Sequence, residues 1–119
     1  MSASHAPLVT AVAFQLSAAL ENYQMQIDGL ANPWSQSTEY NLVSRVFDEV
    51  RMLKGTFPEL SVDMVEVVIC HVDLMKALWL SGPNPVGSAG VAVEQARRKH
   101  RAAVATMRDR CLRVFSRRK

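Results

Sequence analysis

Apolar residues along this chain recur at steps of three and four, the period of one face of an α-helix. Over 7–28 the stripe is Val9, Val12, Leu16, Ala19, Leu20, Tyr23 and Ile27. Pro7 suits a first helical turn, where its missing N–H removes nothing, and Gly29 is a natural stop with Pro33 just beyond. A second stripe, Tyr40, Val43, Val46, Phe47, Val50 and Leu53, predicts a helix over 37–54. Asp48, Glu49, Arg51 and Lys54 take its other side, and Gly55 follows as a cap.

The next segment starts after Thr56, Phe57, Pro58 and Glu59. Ser61 is placed as an N-cap, with Leu60 and Val65 as a hydrophobic staple. A helix over 62–80 follows, whose apolar residues cover most of its cylinder: Met64, Val65, Val67, Val68, Ile69, Val72, Leu74, Met75, Leu78, Trp79 and Leu80. The β-branched run over 65–69 favours a strand, but length and the capped start favour a helix. A helix apolar nearly all round is central to its fold or sits in an interface. Trp79 is expected in the core.

Residues 81–88 contain two prolines and two glycines and form a breaker cluster, the one linker-like stretch. Beyond it a helix over 88–115, roughly 42 Å long, aligns Val93, Ala96, His100, Ala103, Val104, Met107, Cys111, Val114 and Phe115 on one face. Arginines occupy the rest. The pattern therefore predicts an all-α single domain over 1–119. Its architecture is an antiparallel bundle of four helices, at about 7–28, 37–54, 62–80 and 88–115, the last long and basic.

Composition agrees with a globular chain: of 119 residues, 49% are hydrophobic and 21% charged. The two cysteines, Cys70 and Cys111, form no C-x-x-C pair. A reducing, cytoplasmic setting is the simplest expectation, with a single Cys70–Cys111 bridge as the alternative. Residues 1–7 lack the Lys or Arg of a secretory signal, and no apolar run reaches a membrane span of about 18 residues.

Charge changes the picture more. Residues 97–119 hold ten Lys/Arg against Asp109 alone, a net +9, while residues 1–96 hold four Lys/Arg and ten acids, a net −6. Such a split implies an anionic partner or neutralisation between helices. Arg97, Arg98, Lys99, Arg101, Arg108, Arg110, Arg113, Arg117 and Arg118 are the candidate partner-binding or nucleic-acid-binding residues, and phosphate binding would be steeply salt-dependent. No aromatics interleave with them, and the connection before this helix is too long for a helix-turn-helix. The competing reading is a solvated basic face neutralised by the acidic first three helices.

Chemistry-bearing patterns are few. Asp63, Glu66, Cys70 and Asp73 follow at steps of three, four and three, a conceivable metal-ligand stripe. A di-metal bundle site needs Glu-x-x-His motifs, and none occurs. Asp73 can pair with Lys76, and the stripe reads as a hydrated edge facing the arginines. His100 with a methionine offers haem axial ligands, yet a lone His on an apolar face is usually packed and hydrogen-bonded. Cys70 and His71 point about 100° apart. There is no Gly-x-Ser-x-Gly, Walker or dinucleotide motif. No catalytic residue, metal or cofactor is expected. Trp34, in a polar loop over 32–36, is expected to fold back over the core.

The third helix is more apolar than a small monomer needs, and the fourth outruns its neighbours. Both point to a homo-oligomer or a partner helix, with Val93, His100, Val104, Met107 and Phe115 as the expected interface. The function expected from sequence is a non-enzymatic helical protein-interaction module: a small adaptor, chaperone or regulator whose basic C-terminal helix meets an acidic protein surface. A nucleic-acid-binding regulator is the alternative. A bundle enzyme or metal-binding protein built on the Asp63 stripe is the third.

Overall fold

The computed structural model describes residues 2–30, 37–81 and 87–117, with side chains described for 11–30, 41, 43–81 and 87–113. Four helices make up the fold: α1 (Ser2–Gly29), α2 (Ser37–Lys54), α3 (Ser61–Ser81) and α4 (Gly87–Arg117). The described residues contain no strand. The β-branched run over 65–69 is helical throughout, because its neighbours on α3 continue the same apolar faces.

The expected boundaries hold with small extensions. α1 begins at Ser2, so Pro7 is its sixth residue rather than part of the first turn expected for it, and it donates no N–H to the helical ladder there. α2 occupies 37–54 as expected. Two expectations at the start of α3 are corrected. Ser61 has helical φ −61° and ψ −41°, so it lies inside the helical path rather than capping it from the extended region. A 3₁₀ turn, Pro58–Leu60, initiates the segment, with the Leu60 N–H donating to Phe57 O at 3.0 Å. Leu60 enters the core fully buried while Val65 faces outward, so the staple does not form.

Gly55 serves by close approach. A Cβ there would lie 3.1 Å from the Met52 carbonyl oxygen, and the Gly55 N–H donates to that same oxygen at 3.2 Å. Gly87 opens α4 with φ +62°, a left-handed conformation that glycine adopts without steric penalty. The linker is accordingly shorter than 81–88: Ser81 ends α3 and Gly87 and Ser88 already belong to α4. The remainder of that linker, the 32–36 loop with Trp34, and the side chains of Phe115, Arg117 and Arg118 lie outside the described residues.

α1 packs antiparallel to α2 and to α4, and α4 packs antiparallel to α3. Contacts fix those directions: Ile27 and Glu21 of α1 meet Arg97 and Arg108 of α4, while Asp63 of α3 meets Arg110. The core joins Leu16, Leu20 and Ile27 of α1 to Val46 and Val50 of α2, Val67 and Leu74 of α3, and Val104 and Met107 of α4. Each fully buried Leu, Ile or Met stabilises the fold by about 1.5–3 kcal/mol. Phe57 and Leu60, both fully buried, fill the space where the 3₁₀ turn meets α3 and α4. α2 and α3 barely touch. The bundle is therefore a slab, 57 × 24 × 16 Å across its Cα atoms, and α3 packs mainly on α4, meeting α2 at few points such as His71 against Phe47.

Candidate functional site

The arginines of α4 point in several directions, and four of them are engaged by the other helices. Arg97 reaches the C-terminus of α1, donating from its two terminal nitrogens to the carbonyls of Ile27 at 3.2 Å and Leu30 at 2.7 Å. A cation there satisfies carbonyls that the helix leaves unpaired and opposes the negative end of its dipole. Arg101 pairs with Asp28 at 3.1 Å and Arg108 with Glu21 at 3.4 Å. Arg110 donates to Asp63 at 2.6 Å, and that carboxylate is only 7% exposed. Arg98 pairs with Glu94, and Arg113 with Asp109, along α4 itself. Lys99 is exposed beside Glu66 and Asp63 at the α3–α4 groove. The seven basic candidates whose side chains are described thus do not converge on one phosphate-lining face. Three of the ten Lys/Arg over 97–119, Arg101, Arg108 and Arg110, are paired with acids on other helices.

The Asp63 stripe disperses in the same way. Asp63 turns to Arg110, the Cys70 thiol donates to Glu66 at 3.7 Å, and Glu66 and Asp73 are exposed. Among the described residues, Asp73 and Lys76 form no ion pair, and no group of three or more His, Cys, Asp or Glu is placed to hold a metal. Cys70 and Cys111 are both free thiols. Burial raises the pKa of each, Cys70 further through the neighbouring Glu66 and Asp73, so neither is an activated thiolate.

The interior holds a polar cluster. The Tyr23 hydroxyl on α1 lies 2.6 Å from Nδ1 of His71 on α3 and 2.7 Å from Nε2 of His100 on α4. His71 also stacks on Phe47 of α2, ring centroids 4.5 Å apart, so four helices meet here. His100 Nδ1 is buried with no partner. An unpaired buried donor is costlier than an unpaired lone pair, which places the His100 proton on Nε2. That N–H donates to Tyr23 Oη, and the Tyr23 hydroxyl donates to His71 Nδ1. Burial lowers the pKa of both imidazoles. His100 is pushed down to about 4, by burial first and then by His71, with Arg97 and Arg101 adding to the effect and Asp28 opposing it. Burial likewise raises Tyr23 far above the ordinary phenol range. The cluster is a neutral hydrogen-bonded tie, with no cavity around it to admit a substrate among the described pockets.

Four of the five residues expected at an oligomer interface lie inside the bundle instead. Val93, His100, Val104 and Met107 are all buried within the chain, because the apolar face of α4 is covered by α1 and α3. The exposed apolar surface lies on α3 instead. Val62, Val65, Ile69 and Val72 follow at steps of three, four and three along its outward arc, continued by Trp79 and Leu80. Trp79 is 38% exposed rather than in the core, since it falls on this arc.

No protein family, curated protein or solved structure matches this chain.

Two features escaped the sequence reading. The Tyr23–His71–His100 tie joins residues 48 and 77 positions apart, and only the recurrence of polar rings on apolar stripes hinted at it. The outward arc of α3 was visible as apolarity, but the spacing does not say which arc of an all-apolar helix lacks a neighbour. No described helix is long and apolar enough to cross a membrane.

Proposed function

We propose that this chain is a non-enzymatic helical interaction module that binds an amphipathic helical partner through the outward face of α3. The observation that carries the reading is the seam of Val62, Val65, Ile69 and Val72, exposed by 49% to 77%. Its 3–4–3 spacing is that of a helix prepared for a facing helix. Contiguous apolar surface of this kind is uncommon on a monomer and marks interaction sites. The interior polar groups Tyr23, His71 and His100 tie helices together, a structural role that leaves the α3 face as the feature in need of a partner.

Installing a photo-cross-linking amino acid at Val65 or Val72 in the full chain, in its native cells, tests this. Covalent adducts are expected from those positions and absent from Ala105, an exposed site on α4. Equal yields at all three positions, or none at any, would contradict it.

A further inference from the structure

Building on that reading of α3, we infer that the partner is a second copy of this chain, packed α3 against α3 in antiparallel register about a two-fold axis near position 71. In such a pair, each residue lies opposite the one equally far beyond the axis. One register then meets two independent demands of the exposed arc.

The first demand is charge. Lys76 interrupts the apolar seam between Val72 and Trp79 and has no ion pair among the described residues. Glu66 stands on one flank of the seam, exposed, accepting from the Cys70 thiol at 3.7 Å with Lys99 beside it in the α3–α4 groove, and it forms no ion pair among the described residues. With the axis near position 71, Lys76 of each copy faces Glu66 of the other, twice by symmetry, and its methylene stem lies over Val65. A parallel pair in register would set Lys76 against Lys76, which like-charge repulsion disfavours.

The second demand is apolar cover. Val62 and Leu80 are 77% and 78% exposed, more than any other large apolar side chain described. The same axis sets Val62 of one copy against Leu80 of the other, closing both ends of a seam about 27 Å long. It also brings Trp79 beside position 63 of the other copy. There the α2–α3 groove, about 430 Å³, offers Met64, Val65 and Val68 below and Arg51 and Lys54 at its rim. An indole fits such a site through apolar contact and cation–π attraction.

Sedimentation equilibrium of the purified full chain, with helicity checked by circular dichroism, tests the register. The wild type is expected to dimerise. Lys76→Glu alone and Glu66→Lys alone should each weaken the dimer by about tenfold or more, and the double variant should recover most of that loss. A chain that stays monomeric, a dimer indifferent to both reversals, or single losses without recovery in the double variant would each overturn the inference. The interaction reading stands separately: cross-linked adducts at Val65 from a chain that proves monomeric would retain it and discard the second copy.

Discussion

The Tyr23 hydroxyl on α1 accepts a hydrogen bond from Nε2 of His100 on α4 across 2.7 Å, inside the core. The same hydroxyl donates to His71 on α3, so a single oxygen ties three helices. Tyr23→Phe removes that oxygen and leaves a buried N–H and a half-buried lone pair without partners. A destabilisation of about 1–3 kcal/mol is expected, read from the midpoint of urea unfolding at neutral pH. An unchanged midpoint would show that the tie contributes nothing.

The tie also makes stability depend on pH in a definite direction. The folded-state pKa of both imidazoles lies below the unfolded value of about 6.5. Their contribution is therefore complete above about pH 6.5 and lost as pH falls through the folded values, which for His100 means about 4. For His100 the full span corresponds to something on the order of 3 kcal/mol. His100→Gln keeps a donor toward Tyr23 but cannot titrate. Urea unfolding of this variant should lose less stability between neutral pH and about pH 4 than that of the wild type.

The ion pairs of α4 are unequal, because their burial is unequal. Arg110→Ala leaves Asp63, buried against α4, without its cation, and a loss of about 1–3 kcal/mol is expected. Arg98→Ala removes an exposed pair with Glu94, and a change within about 0.5 kcal/mol is expected. Thermal unfolding of the two variants side by side checks the contrast. Asp63→Ala combined with Arg110→Ala should recover part of the first loss.

Two apolar residues on opposite arcs of α3 should likewise differ. Leu74 is fully buried, and Leu74→Ala is expected to destabilise the isolated chain by about 2–5 kcal/mol. Val65 faces outward, and Val65→Ala should change the stability of dilute protein by less than about 1 kcal/mol. Equal losses would mean that Val65 is covered within its own chain.

The helices themselves were legible because each stripe has the helical period, and the first three stop at or next to Gly29, Gly55 and Ser81. α2 lies where its stripe begins and ends. The start of α3 was misplaced by a competing local signal: Ser61 has the chemistry of a cap, but Pro58 turns the chain one step earlier. Which apolar stripe stays exposed was not legible, for a tertiary reason. The stripe through Val104 and Met107 and the seam through Val65 and Ile69 are equally apolar, and only the arrangement of neighbours decides which is covered. α2 packs on α1 and leaves α3 open on one side. The charge split of α4 left an anionic partner and neutralisation between helices both open, and three of its arginines, Arg101, Arg108 and Arg110, do meet Asp28, Glu21 and Asp63.

The most direct test of the α3 face is size-exclusion elution of the wild type and of Ile69→Glu in freshly clarified native extract, with Arg98→Glu as a surface-charge control. The wild type and Arg98→Glu should elute together, ahead of a single chain, and Ile69→Glu should move to the single-chain position while keeping its helicity. Co-elution of all three proteins would contradict a partner-binding role for this face.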